Sequence, residues 1–186
     1  MDVITPRPVS ACTRNLHWLI VLLLSGVYLS AYYRSYLTTQ LEVSNWYSLV
    51  VHINAGLLVG VFSVLAIVMR RRSERRGWLA KLSKFALYSL LLLIPLSAYM
   101  GLGFKLPIAG HWMLDSFAQL PAARQFVSEQ NMLMITFQEP FALFHQEWGS
   151  EVLLPALIAL HVAAALYHHF ILRDQTLRAM LGRGAD

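Results

Sequence analysis

Four long apolar runs constrain this chain more than any other feature of its sequence. They cover residues 17–33, 46–69, 85–104 and 152–172. A bilayer core about 30 Å thick is crossed by roughly 20 apolar residues of helix. Because lipid offers the backbone no hydrogen-bond partners, a spanning segment of this kind has to be helical. The sequence therefore predicts an all-α protein, an integral membrane four-helix bundle.

The composition agrees with a membrane protein, because 57% of the 186 residues are hydrophobic and only 13% are charged. We expect a single domain over residues 1–186, with helices at about 15–33, 47–69, 85–104 and 151–172 and an outer lid at about 105–150. Proline and glycine breakers and an apolar stretch over residues 132–137 predict that the lid lies in short pieces across the helix ends. No cleavage site follows the first run, so we expect a membrane helix rather than a signal peptide.

Lys and Arg residues are concentrated on one side of the predicted bundle. The amino end, the link between the second and third helices and the tail hold 12 Lys and Arg against 4 Asp and Glu, whereas the opposite side holds 3 against 6. By the positive-inside rule, both termini are predicted to be cytoplasmic. The net charge of +5 therefore favours contact with anionic membrane lipid and not with nucleic acid.

Histidine residues lie in or beside these apolar runs, where an imidazole is costly to bury. His17 and His161 belong to the first and fourth runs, His52 lies near the outer start of the second, and His145 precedes the fourth on the outer side. The depths suggest an inner and an outer pair. Any one of these histidines could be a structural residue whose imidazole is packed and hydrogen-bonded. Four histidines in two pairs, each pair at a similar depth, instead favour a role as metal ligands. Cys12 is the only cysteine, so cysteine-held zinc or iron–sulfur sites are excluded.

Gly56 adds to the case for a flat metal-bearing cofactor such as haem. It follows His52 by four residues, which places the two on one helix face. A glycine there allows a macrocycle to lie against the backbone. Ordinary close packing of helices in lipid is the alternative explanation.

Three strings in this sequence resemble the bacterial cytochrome b561 family. They are Leu16-His17-Trp18, the stretch from His52 to Gly56, and above all the stretch from His161 to Met180. The resemblance covers nearly the whole chain. It implies a multi-pass protein of the bacterial inner membrane with two b-type haems (haem b), each held by two histidines, that exchanges electrons with ubiquinone on the cytoplasmic side. Some family members look like superoxide oxidases, which pass electrons from superoxide on the outer side to quinone.

The resemblance also implies roles for individual residues. The inner haem would be held by His17 and His161 and the outer haem by His52 and His145, while His168 and His169 would lie beside the cytoplasmic quinone site. Arg14 and Arg70 are candidates for pairing with haem propionates, because a guanidinium matches carboxylate geometry. Topogenic charge at a helix end explains both arginines equally well.

The spacing of the two histidines of the fourth helix departs from the family pattern. His145 and His161 are 16 residues apart, two more than in the family. On an ideal helix that spacing leaves them roughly 160° apart. Gly149 and Pro155 lie between them and predict a break or bulge that restores a common face. His111 in the outer connection is the reserve candidate.

Two further departures concern the ends of the bundle. Ser83 and Lys84 stand where family members often carry a histidine, and Lys84 is expected to reach towards lipid headgroups. The outer segments carry a net charge of −3, which works against electrostatic steering of superoxide.

We therefore predict a membrane dihaem b-type cytochrome that transfers electrons between an outer-side donor and ubiquinone, with superoxide as the preferred donor. The alternatives are a cytochrome b anchor that passes electrons between a partner dehydrogenase and quinone, and a small non-redox membrane protein whose histidines are structural.

Overall fold

The computed structural model describes residues 10–69 and 77–182, and over these residues the chain is an all-α bundle with one small hairpin. Helix α1 spans Ala11–Tyr32 and continues through a wider π-helical turn, Tyr33–Leu37. Helices α2 and α3 span Val43–Val68 and Trp78–Gly101.

A 3-10 turn at Phe117–Gln119 precedes α4, Pro121–Glu129. The next long helix consists of α5, Met134–Leu143, a π-helical segment, Phe144–Leu153, and α6, Leu154–Phe170, and α7 follows at Thr176–Met180.

Four of these helical stretches are long and apolar enough to cross a membrane: 11–37, 43–68, 78–101 and 134–170. Many large apolar side chains on their outer faces are exposed, as expected of a surface that contacts lipid. The chain is therefore a multi-pass membrane bundle, as predicted.

The fourth spanning helix is longer than the sequence predicted. It begins at Met134 instead of near residue 151, so the expected lid over 105–150 ends about where that helix starts. The apolar residues 134–137 are the first turn of this helix and not part of a lid. Glu139, Pro140 and Gly149 interrupt the hydropathy of the sequence, but the helix continues through Pro140 inside α5 and widens into a π-helix around Gly149.

The lid that remains is a β-hairpin followed by the 3-10 turn and α4. Strands β1, Leu106–Ile108, and β2, Trp112–Leu114, pair antiparallel. Asn54 on α2 fixes the hairpin, because its Nδ2 donates to the Pro107 carbonyl at 2.9 Å and its Oδ1 accepts the Ala109 N–H at 2.9 Å. The hairpin thus marks one end of the bundle, which we call the hairpin end.

The first and last described residues lie at the opposite end, which we call the terminal end. There the Trp18 Nε1 donates to the carbonyl of Met180 at 2.8 Å and so ties α7 to α1. Buried apolar side chains hold the long helices together in two clusters, one of Leu16, Ile20 and Val59 and another of Leu90, Ile94 and Leu154. The bundle is therefore anchored at both ends by hydrogen bonds and along its length by packing.

Candidate functional site

Two pairs of histidines meet between the long helices. The terminal pair is His17 on α1 with His161 on α6, with ring centroids 6.3 Å apart. The hairpin pair is His52 on α2 with His145 in the π-helical segment, with ring centroids 6.2 Å apart. His52 lies level with Val27, ten residues beyond His17 on α1, so the two pairs are separated by about 15 Å along the bundle.

The separation within each pair is that of two imidazoles on one metal. Two metal–imidazole bonds of about 2 Å each, with roughly 1 Å from each nitrogen to its ring centre, place the centroids about 6 Å apart on opposite sides of the metal. Both pairs have this separation. Each pair could therefore supply two ligands to one metal.

Hydrogen bonds orient both rings of the hairpin pair. The Nδ1 of His52 lies 3.1 Å from the carbonyl oxygen of Val27, and the Nδ1 of His145 lies 3.0 Å from that of Ile94. A carbonyl only accepts, so each Nδ1 carries the proton and each Nε2 keeps its lone pair. Metal-binding histidines are usually held in this way by a partner on the second ring nitrogen.

The π-helical segment explains how His145 and His161 share a groove despite their spacing of 16 residues. A π turn closes its hydrogen bond over one residue more than an α turn does. Ten residues of π-helix, Phe144–Leu153, therefore take up about two extra residues. The expected distortion is thus a widening within a continuous helix, and Pro155 follows it in the first turn of α6.

Gly149 allows the widened segment to pack closely against α3. A Cβ atom on this residue would lie 2.7 Å from the carbonyl oxygen of Phe144 and 3.0 Å from Cγ1 of Ile94. Ile94 also provides the carbonyl that holds His145. The absence of a side chain at Gly149 therefore keeps His145 in reach of its hydrogen-bond partner.

Open space lies beside the hairpin pair. A Cβ atom on Gly56, or on Gly26 of α1, would meet no atom within 4 Å. Gly56 thus borders a groove and does not serve as a contact point between packed helices. His111 lies in the hairpin turn with an exposed side chain, and the ring that lies beside His52 is that of His145.

The donor set fits haem better than a bare metal ion. Within residues 10–69 and 77–182, no group of three or more His, Cys, Asp or Glu side chains could hold a metal ion. Each pair offers two imidazoles only, so a metal needs further ligands from another source. A haem iron takes four from its macrocycle and requires only the two axial ligands.

Of the two arginines predicted to pair with haem propionates, the structure describes only Arg14. Arg14 lies in the first turns of α1 at the terminal end, partly buried, and its guanidinium lies against the backbone of Gly182. Arg70 lies outside the described residues. Pairing of either residue with a propionate stays a prediction.

His168 and His169 lie in the last turn of α6, at the terminal end. The Nδ1 of His168 donates to Oδ2 of Asp174 at 2.5 Å. The Nδ1 of His169 is buried and has no hydrogen-bond partner among the described residues. A buried polar atom without a partner is costly, so this atom marks a place where a ligand can accept or donate a hydrogen bond.

The role of Asp174 was missed in the sequence. Burial raises the pKa of its carboxyl, but hydrogen bonds from the Thr176 N–H and from His168 outweigh that effect, so the pKa lies below its ordinary value. The signal available in the sequence was Asp-x-Thr after a helix end, which is typical of a carboxylate that caps the next helix.

The sequence of this chain is similar to those of known proteins. The family model described as prokaryotic cytochrome b561 matches residues 9–183, a range that contains all seven histidines. Cytochrome b561 homolog 1 of Escherichia coli (strain K12) is 26% identical to this chain over 180 residues, which cover 90% of the chain and 93% of that protein.

Proposed function

The chain belongs to the prokaryotic cytochrome b561 family of bacterial inner-membrane electron-transfer proteins, and from this premise we propose that two haems carry electrons across it from an outer-side donor to ubiquinone. It is a multi-pass membrane protein and a b-type cytochrome. The observation that supports two haems is the presence of two histidine pairs at two depths, each with ring centroids about 6 Å apart. Membership of this family contradicts the alternative of a small non-redox membrane protein with structural histidines.

Four imidazoles would hold the two haems, with His17 and His161 on one iron and His52 and His145 on the other. When bound, haem supplies reversible one-electron chemistry, and two imidazole ligands favour electron transfer over oxygen binding. The carbonyls of Val27 and Ile94 fix the rings of the hairpin pair, so little reorganisation is needed when the charge of the centre changes.

The terminal end faces the cytoplasm in this proposal. Most Lys and Arg residues lie in the segments at that end, 12 against 3 at the hairpin end. The terminal pair is then the inner haem site, and the hairpin pair is the outer one.

Ubiquinone is proposed to react beside His168 and His169. His168 follows His161 by seven residues, so it lies on nearly the same face of α6 and about 10.5 Å nearer the terminal end. The buried, unpartnered Nδ1 of His169 offers a hydrogen bond to a quinone oxygen. A quinone there would be close to the inner haem and to cytoplasmic water.

Superoxide is our preferred outer donor, and a partner dehydrogenase is the second candidate. The second candidate is favoured by a surface depression level with the hairpin pair, lined by Gln146, Glu147, Trp148, Glu151 and Val152. Trp148 is exposed there, one turn from His145, and aromatic side chains are enriched in surfaces that bind other proteins.

The absorption spectrum, the haem content and the redox reactions of the purified protein test the proposal. We expect the reduced protein to show a b-type α band and to bind two haems per chain, and the haem to be reduced by superoxide and reoxidised by ubiquinone. His161→Ala should lose one haem, because that iron loses an axial ligand. Full haem content in this variant would contradict the assignment, and reduction only by a partner protein would select the dehydrogenase alternative.

A further inference from the structure

We propose that Asp174 is a positioning residue for proton delivery to the quinone, acting through His168. The proposal rests on the proposed quinone site. It is supported by a pair of interlocking hydrogen bonds at the end of α6: the His168 Nδ1 donates to Oδ2 of Asp174, and the Asp174 N–H donates to the carbonyl oxygen of His168 at 3.0 Å. The imidazole and the carboxylate are therefore held together by both side chain and backbone.

The chain between the two residues turns sharply to make this contact. Arg173 has a φ of 51°, a left-handed conformation that non-glycine residues rarely adopt. Such strain persists where the surrounding structure holds it, and it often accompanies a functional arrangement. Here it brings Asp174 back onto the last turn of α6.

The far side of Asp174 is fixed as well. Its Oδ1 accepts the N–H of Thr176 at 2.9 Å, at the start of α7. The hydrogen bond from Trp18 to Met180 in turn ties helix α7 to α1. The rings of Trp18 and His17 lie next to each other, with their centroids 5.3 Å apart. One connected structure therefore sets the position of His168 relative to the terminal pair.

This arrangement prepares His168 for proton transfer. With Nδ1–H donated to the carboxylate, Nε2 is the nitrogen left free, and the tautomer is fixed. The Nε2 takes a proton from cytoplasmic water, and Asp174 stabilises the imidazolium that forms. The carboxyl of Asp174 is ionised at neutral pH, as an ordinary aspartate is, and its hydrogen bonds hold its pKa below the ordinary value.

The proton balance of the step is simple. One ubiquinone becomes ubiquinol by gaining two electrons, both supplied by the outer donor, and two protons from the cytoplasm. His168 passes one of these protons from Nε2 to a quinone oxygen and then recovers a proton from water. The Nδ1 proton stays on the hydrogen bond to Asp174 throughout.

The test compares Asp174→Asn with Asp174→Ala in the haem-loaded protein in lipid vesicles. Asparagine keeps a carbonyl oxygen for the Thr176 N–H but loses the charge that orients and stabilises protonated His168. We expect both variants to slow reoxidation by ubiquinone by about 10- to 100-fold and to increase its solvent isotope effect, because proton delivery then limits the rate. Haem content and reduction from the outer side should stay unchanged.

A double variant separates positioning from capping. In a His168→Gln background, Asp174→Asn should cause no further loss, because the residue acts through His168. A normal rate in Asp174→Asn with a slow rate in Asp174→Ala would overturn the proposal and leave Asp174 as a helix cap. A normal rate in His168→Gln would instead contradict the quinone site itself, and the positioning role with it.

Discussion

The position of the His145 side chain in the hairpin pair depends on contacts with neighbouring residues. Its ring lies beside that of His52, and its Nδ1 is held by the Ile94 carbonyl. His111 lies in an exposed turn and has no comparable support. The structure therefore favours His145 over His111 as the partner of His52.

Alanine substitutions test this pairing. His52→Ala and His145→Ala should each lose one of the two haems and leave the same residual spectrum, because both remove an axial ligand from one iron. His111→Ala is the matched control and should keep both haems. Haem content and the reduced spectrum provide the measurement, and a loss of haem in His111→Ala alone would reverse the assignment.

Gly149 is a second residue whose replacement should be felt at this site. A Cβ atom there would lie 2.7 Å from the backbone oxygen of Phe144, which cannot move without disturbing the helix. We expect Gly149→Ala to destabilise the apo or haem-loaded protein by about 1–3 kcal/mol and to weaken haem binding at the hairpin pair. Gly60→Ala is the control for general effects on the helices, since a Cβ atom there would lie 3.7 Å from Cγ of Pro95, an ordinary van der Waals contact. Thermal unfolding and haem content distinguish the two variants.

The helices show which parts of the fold were predictable. Helices α2 and α3 contain most of the runs predicted at 47–69 and 85–104, because hydropathy decides whether a segment spans, but α3 begins earlier, at Trp78, and ends at Gly101. The fourth helix was predicted too short, since Glu139, Pro140 and Gly149 read as breaks in hydropathy although the backbone continues through them. The π-helical segment depends on packing against α3, which no local pattern in the sequence records.

The candidate site was predictable to a similar degree. The four histidines could be grouped by depth and by family resemblance, and the structure brings the same pairs together. The carbonyl partners of the hairpin pair and the contact between His168 and Asp174 could not be predicted. They depend on which helices pack side by side and on the turn after α6.

Deletions in the π-helical segment test the idea that it absorbs two residues. Removing Glu151 and Val152 together should convert the segment towards an ordinary α-helix and keep His145 and His161 on one groove, so both haems should remain. Removing Glu151 alone should rotate one histidine by about 100° relative to the other and cost one haem. Loss of haem in the double deletion with retention in the single deletion would contradict the role of the segment.

The whole molecule connects two sites of different charge. The sequence segments predicted on the outer side carry 3 Lys and Arg against 6 Asp and Glu, whereas those predicted on the cytoplasmic side carry 12 against 4. Electrons that enter near the hairpin pair and leave near His168 would cross most of the bilayer, because the two histidine pairs lie at different depths. A donor at the hairpin end would therefore approach a negative surface, and the proposed quinone site would lie beside a positive one.

The charge of the hairpin end makes a prediction about its donor. Lys105 is paired with Asp115 at 2.8 Å, so its charge is offset, and the segments predicted on this side carry 3 Lys and Arg against 6 Asp and Glu. The rate of haem reduction by superoxide should therefore rise, or at least not fall, as salt screens the negative surface. Stopped-flow measurement of haem reduction at increasing ionic strength tests this, with Arg34→Gln as the comparison.

A steep fall in the reduction rate with added salt that disappears in Arg34→Gln would show that this arginine creates a local positive field which overrides the net charge of the surface. Absence of any reduction by superoxide would assign the donor side to a protein partner.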